Sequence, residues 1–159
     1  MNWRARRIKL KSFQIFLLLC LLITLLFTTS FSQDVVTVKR VIDGDTILLA
    51  NGQRVRLIGV DTPETKHPQK PVQRFGNEAY LFTKRMVEGK EVRLEYNWQK
   101  RDKYGRLLAY VYLLDGTLLN GEIIKQGYGF AYTKYPFKYL VEFRQYEKEA
   151  RDNGRGLWK

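Results

Sequence analysis

Apolar and polar residues alternate along several short, β-branched stretches of the chain, and glycine and asparagine turns separate these stretches. This period of two predicts strands with one buried face. The pair Asn51-Gly52 is typical of a two-residue hairpin, so the strands on either side of it are expected to be antiparallel neighbours. The pattern predicts five strands, at residues 35–42, 47–50, 54–60, 91–96 and 107–114.

Three other stretches have the period of a helix. Phe75, Ala79, Phe82 and Met86 recur on one helical face, and Gly89 is placed to end that helix. Two further helices are predicted at residues 118–126 and 137–152, each followed by a capping glycine. The order of the elements predicts an α+β domain in which three α-helices surround a small five-stranded β-barrel.

The first 34 residues differ from the rest. Basic residues precede an apolar run at residues 15–27, and small and polar residues follow at residues 28–33. This order is typical of a secretory signal peptide spanning residues 1–32. An uncleaved membrane anchor is the alternative, because the uncharged residues 12–33 could span a bilayer. In both cases the domain, residues 33–159, is expected outside the cytoplasm, either secreted or tethered to the outer side of the membrane.

Charge and cysteine content narrow the choice of partners. The formal net charge is +12, and five basic residues precede position 12, where no acid occurs, so the rest of the chain carries +7. A basic domain favours polyanions such as nucleic acid, anionic membrane or acidic polysaccharide. The single cysteine, Cys20, lies in the apolar run, which excludes disulfides and thiolate metal sites from the domain.

Three acidic residues stand near neighbouring strand ends. Asp45 precedes the second strand, Asp61 ends the third, and Glu64 follows Asp61 by three residues. In a meander, the first two should lie at the same end of the hairpin. Clustered carboxylates repel one another, and a hard divalent cation held by oxygen ligands would compensate their charge.

Two arginines complete a set of groups suited to phosphate chemistry. Arg56 lies within the third strand, where burial of a guanidinium is energetically unfavourable unless it contacts an anion. Arg106 follows the turn at Gly105. Guanidinium forks match phosphate oxygens. A cation, a free carboxylate and two arginines are the parts needed for phosphodiester hydrolysis. The structural alternative is that the acids are turn or cap residues and that Arg56 pairs with one of them.

Three segments, residues 41–46, 56–65 and 102–106, resemble the signature segments of the staphylococcal nuclease (thermonuclease) family. They read VIDGDT, RLIGVDTPET and DKYGR, and the ending at residues 149–158 is also similar to that of the family. The resemblance covers residues 35–159. It implies an OB-fold and a calcium-dependent, sugar-nonspecific nuclease that cuts DNA and RNA and leaves 3′-phosphate ends.

The resemblance also implies roles for individual residues. Asp45 and Asp61 match the carboxylates that bind Ca²⁺, and Thr62 matches the residue whose carbonyl completes that site. Glu64 matches the proposed general base. The two arginines expected on the scissile phosphate are Arg56 and Arg106. The residues that match substrate-binding positions are Lys103, Tyr104, Tyr132 and Tyr135. Tyr135 stands one residue later than the family pattern has it.

The aromatic segment at residues 128–139, with its interleaved lysines, favours single-stranded nucleic acid, because bases stack on rings while phosphates pair with cations. No feature of the sequence demands an oligomer, so a monomer is expected. The only histidine, His67, lies in a proline-rich loop and is expected to be a surface residue. The alternative to an enzyme is a non-catalytic OB-type module that binds nucleic acid without cleaving it.

Overall fold

The computed structural model describes residues 35–65 and 73–159. In chain order the elements are β1 (Val35–Asp43), β2 (Thr46–Leu49), β3 (Arg54–Leu57), β4 (Val60–Asp61), α1 (Gly76–Val87), β5 (Glu91–Arg101), β6 (Leu107–Leu113), α2 (Leu119–Lys125), β7 (Phe130–Ala131), α3 (Leu140–Asp152) and a 3-10 helix (Gly156–Trp158). The signal peptide or anchor predicted for residues 1–32 and the surface position of His67 lie outside the described residues. Within the described residues, no helix is both long enough and apolar enough to cross a bilayer.

Five strands close into a barrel in the order β1-β2-β3-β6-β5. The first three form the antiparallel meander expected from the Asn51-Gly52 hairpin. β5 and β6 form a second antiparallel pair, and β3 runs parallel to β6 where the two groups of strands meet. The α+β class, with a five-stranded OB-type barrel and three α-helices, is therefore confirmed.

The third predicted strand is interrupted. It was expected to run to residue 60, but β3 ends at Leu57, because the chain turns at Ile58 and Gly59, where Gly59 has a φ of +74°. β4 then leaves the barrel and pairs with β7 in a separate two-stranded sheet. This break matters for the site, because it carries Asp61 out of the barrel wall while leaving it close to the strand that holds Arg56.

Two other boundaries differ from the predictions. Residues 97–101 were expected in a loop, but β5 continues through them to Arg101, with an irregularity in its pairing to β6 after Tyr96. The final helix begins at Leu140 rather than at residue 137. Phe137 lies before the helix but still packs against the core. It therefore looked like part of the apolar face of the helix in the sequence.

A fully buried amide joins the barrel to α2 and to the turn after β3. The Asn120 side chain accepts a hydrogen bond from the Val111 N–H at 2.9 Å. Its Nδ2 atom donates to the carbonyls of Ile58, at 2.9 Å, and Ala109, at 3.2 Å. Because Ile58 opens the turn that leads to β4, this amide fixes the path of the chain towards Asp61.

We expect Asn120→Ala to lower the free energy of unfolding by about 3 kcal/mol, since buried backbone groups lose their partners. Urea unfolding followed by circular dichroism measures this change. The matched control is Asn77→Ala, at an exposed position of α1, for which a change within about 0.5 kcal/mol is expected. Equal stability of the two variants would show that the amide does not hold this turn.

Candidate active site

Arg56 joins the two acidic residues that the sequence placed at one end of the hairpin. Its Nη1 atom lies 2.9 Å from Asp45 Oδ2, and its Nη2 atom lies 3.1 Å from Asp61 Oδ1. Nη1 also donates to the Val60 carbonyl at 2.7 Å. One guanidinium therefore holds together the start of β2, the middle of β3 and the short strand β4.

The two carboxylates differ in exposure. Asp45 is buried, whereas the Asp61 side chain is 53% exposed, so Asp61 forms the open side of the cluster. Asp45 accepts hydrogen bonds from the Thr62 N–H at 3.1 Å and from the Thr46 hydroxyl at 3.0 Å. Burial raises the pKa of Asp45 despite these contacts and Arg56. Burial and the negative charge of Asp45 also raise the pKa of Asp61, against the opposing effect of Arg56.

Two contacts hold Glu64 next to this cluster: its backbone is hydrogen-bonded to Gln73, and its side chain is hydrogen-bonded to Asp43. The Glu64 N–H donates to Gln73 Oε1 at 2.9 Å, and the Gln73 N–H donates to the Glu64 carbonyl at 3.0 Å. The Asp43 carboxyl accepts hydrogen bonds from the Gly44 N–H, at 2.9 Å, and the Thr65 hydroxyl, at 2.8 Å. Burial and a side-chain hydrogen bond with Glu64 raise the pKa of Asp43.

Arg106 lies directly before β6. In the parallel pairing of β3 with β6, Arg56 is the partner of Leu108, two residues after Arg106. Its Nε atom lies 2.6 Å from Asp102 Oδ2. Burial opposes ionisation of Asp102, but hydrogen bonds from the side chain and backbone of Arg106 outweigh it and lower the pKa of Asp102.

The four aromatic and basic residues predicted to bind substrate fall into two groups. Lys103 and Tyr104 lie in the turn between β5 and β6, where Tyr104 is 71% exposed. Tyr132 follows β7 and donates its N–H to the Gly59 carbonyl at 2.9 Å, next to β4. Tyr135 lies beside it, with 6.2 Å between the ring centroids. The shift of Tyr135 by one residue therefore leaves its ring next to Tyr132, and both rings are exposed.

The sequence model of the family described as "Staphylococcal nuclease homologue" matches residues 54–159. The chain belongs to the staphylococcal nuclease family. It is 47% identical over 126 residues to a thermonuclease of Staphylococcus intermedius, a match that covers 77% of this chain and 74% of that protein. A thermonuclease of Staphylococcus hyicus is 43% identical over 131 residues, with 80% and 77% covered. Endonuclease YncB of Bacillus subtilis is 43% identical over 129 residues, with 77% and 61% covered. Family membership supports a nuclease function.

The family implies a calcium ion, and the residues at the acidic cluster have suitable chemistry for it. Asp45, Asp61 and the Thr62 carbonyl would supply oxygen ligands only, which is the donor type that Ca²⁺ prefers. Among residues 35–65 and 73–159, no three or more His, Cys, Asp or Glu side chains form a ready-made metal site. Burial raises the pKa of both aspartates more than Arg56 lowers it, and repulsion from neighbouring aspartates adds to the rise. A divalent cation would offset both effects.

Two residues of the candidate site were not identified from the sequence. Asp43 was not singled out, although only Gly44 separates it from Asp45, and it is buried. Gln73 carries no local signal, because it stands nine positions after Glu64, beyond a proline-rich segment. A count of the acids in Asp43-Gly44-Asp45 could have identified the first, but only the fold shows the second.

We expect Gln73→Ala to lower the turnover of this nuclease about tenfold, because a loosened Glu64 backbone misplaces its carboxylate. The measurement is kcat on a single-stranded DNA oligonucleotide, with the unfolding free energy measured in parallel. Gln73→Glu is the matched control, since its carboxylate can still accept the Glu64 N–H. If the Gln73→Ala variant cleaves as fast as the wild type, the hydrogen bond from the Glu64 N–H to the Gln73 side chain has no part in positioning Glu64.

Proposed function

We propose that this chain is a calcium-dependent nuclease that hydrolyses phosphodiester bonds in both DNA and RNA. The observation that carries the proposal is the position of Arg56 between Asp45 and Asp61, with Glu64 held alongside. Two of the relatives are thermonucleases and one is an endonuclease. This arrangement and the family membership support metal-assisted hydrolysis of a phosphodiester at this cluster.

The two arginines would bind the scissile phosphate. A guanidinium offers paired N–H donors that match two phosphate oxygens, and its charge stabilises the negative charge that grows in the transition state. Arg106 has its Nε atom held by Asp102 and stands two residues before Leu108, the register partner of Arg56. A bound Ca²⁺ would polarise the phosphate and help to neutralise it.

Glu64 would orient and deprotonate the attacking water. The water oxygen forms a bond to phosphorus, its proton passes to the Glu64 carboxylate, and the bond from phosphorus to the 5′ oxygen breaks. The products are a 3′-phosphate and a 5′-hydroxyl, and the leaving oxygen takes up a proton. Because the nucleophile comes from water rather than from a ribose 2′-hydroxyl, this chemistry suits DNA and RNA equally.

Substrate binding would combine charge and stacking. Lys103 Nζ lies 5.0 Å from the Tyr104 ring centroid, and its charge would bind a terminal phosphate. The exposed rings of Tyr132 and Tyr135 would stack on bases, which favours single strands. Since phosphate contacts dominate such binding, we expect affinity to fall steeply with salt. The proposed enzyme acts as a monomer outside the cytoplasm, secreted or tethered through residues 1–32.

Product analysis tests this proposal. DNA and RNA oligonucleotides of one sequence are incubated with the full-length chain and calcium, and the products are identified by mass spectrometry. We expect fragments with 3′-phosphate and 5′-hydroxyl ends from both substrates. Fragments with 5′-phosphate ends would contradict the direction of cleavage. Oligonucleotides that remain bound but intact would show instead that the chain is a binding module.

A further inference from the structure

We propose that Trp98 forms an additional stacking site for an unpaired base of the substrate, on the β5–β6 hairpin. The proposal rests on the proposed function in one respect, namely that the ligand is a nucleic acid. It assigns a role to a residue outside the acidic cluster, and it names what this part of the protein recognises: a base that is not paired in a duplex.

The first observation is the exposure of the ring. Trp98 is 82% exposed, although it lies within β5 and not in a loose loop. Leaving an indole in water gives up most of the large stabilisation that its burial would bring. The nearby Tyr104, at the turn of the same hairpin, is 71% exposed. Exposed aromatic rings that are not needed for packing are typical of a binding surface.

The second observation is the charge around the ring. Residues 97–106 contain one acid, Asp102, which is paired with Arg106. The basic residues of this segment are Lys100, Arg101, Lys103 and Arg106. An exposed ring among cations complements a single-stranded nucleic acid, in which bases offer flat faces and phosphates offer negative charge. A protein partner with an apolar surface would gain nothing from these cations.

The third observation is that the hairpin is ordered by its own contacts. Arg101 Nη1 donates to the Gly105 carbonyl at 2.8 Å, and the Tyr104 N–H donates to Asp102 Oδ1 at 2.9 Å. Lys100 Nζ lies 4.6 Å from the Tyr96 ring centroid. Trp98 stands between these two residues in the chain, where the pairing of β5 with β6 is irregular, and its N–H donates to Asn97 Oδ1 at 2.9 Å. A ring presented by a strand loses little conformational entropy when a base stacks on it.

The hairpin also links Trp98 to the proposed catalytic groups. Arg101 is the register partner of Leu107, which follows Arg106 directly. Trp98 stands three residues before Arg101, so their Cα atoms lie within about 11 Å of each other, which is the reach of three fully extended residues. A single strand whose phosphate lies at Arg106 could therefore extend along the hairpin and place a base a few nucleotides away on Trp98. A base held in a duplex has no free face to offer.

The test measures binding in the Glu64→Gln background, so that the oligonucleotides stay intact in the presence of calcium. Dissociation constants of the full-length chain are measured for a thymidine dinucleotide, a 12-nucleotide oligothymidine and a 12-base-pair duplex. We expect Trp98→Ala to weaken binding of the single-stranded 12-mer about tenfold. Binding of the dinucleotide and of the duplex should change less than about twofold. Trp98→Phe, which keeps a flat ring, should restore most of the affinity.

The control is Val141→Ala, because Val141 is 75% exposed on α3 and lies outside the hairpin. If Trp98→Ala binds the single-stranded 12-mer as tightly as Val141→Ala does, the proposal is wrong. It is also wrong if the difference in tryptophan fluorescence between the wild type and Trp98→Phe responds to phosphatidylglycerol vesicles but not to the oligonucleotide, since the ring would then contact a membrane. The binding measurement does not depend on turnover, so a wild type that binds without cleaving would refute the nuclease proposal while leaving this one testable.

Discussion

Glu64→Gln is expected to lower kcat for the cleavage of single-stranded DNA roughly 10²- to 10⁴-fold, the range that a positioned general base contributes. Glutamine has nearly the same shape, and its backbone can still be held by Gln73 through both hydrogen bonds. Its amide cannot accept a proton from water at neutral pH. The variant therefore removes the proposed chemistry while leaving the local structure in place.

Single-turnover cleavage of a labelled oligonucleotide measures this effect without interference from product release. The matched control is Glu78→Gln, which makes the same change at an exposed position in the first turn of α1. This control should cleave at the wild-type rate. A decrease in rate of less than about threefold would be much smaller than the loss expected on removal of a general base. Glu64 would then not be the base.

Arg56→Lys is expected to lower kcat roughly 10²- to 10³-fold, as the loss of one preorganised electrostatic group does in other enzymes. Arginine contacts Asp45 and Asp61 through two different nitrogen atoms and the Val60 carbonyl through one of them. An ammonium group is a point charge and cannot reproduce a planar fork. The substitution keeps the charge but loses the paired hydrogen bonds to the carboxylates and to the phosphate.

The control for this prediction lies two residues away on the same strand. Arg54 is exposed, and Arg54→Lys should leave kcat within about twofold of the wild type. Urea unfolding of both variants separates catalysis from stability, because Arg56 also joins β3 to β4. If Arg56→Lys loses stability but retains wild-type turnover when folded, Arg56 has a structural role only, which is the alternative that the sequence left open.

The parts of the fold that local patterns determine were predictable. Alternation and the Asn51-Gly52 turn specify β1, β2 and β3 through contacts between residues close in sequence. The break at Gly59 was missed, because residues 57–60 form an apolar run with no polar residue to mark the end of a strand. What ends the strand is the pairing of Val60 with Ala131, a residue far away in sequence. The parallel pairing of β3 with β6 is equally non-local.

The candidate site, like the fold, was only partly predictable from the sequence. The proximity of Asp45 to Asp61 followed from the geometry of a meander, and the position of Arg56 between them agrees with the expectation that a strand arginine meets an anion. The link from Asp43 to Glu64 was not predictable, because it depends on how the segment after β4 folds back over the turn before β2. The exposure of Trp98 was also not predictable from the sequence.

The dependence of cleavage on calcium tests the central claim most directly. The full-length chain is treated with a chelator, calcium is added back in steps, and the initial rate of cleavage of single-stranded DNA is measured at each step. The account predicts no cleavage in the chelator and a saturable rise in rate as calcium returns. Cleavage that continues in excess chelator would contradict the metal–carboxylate mechanism. Intact DNA at every calcium concentration, bound but not cut, would contradict the assignment as a nuclease.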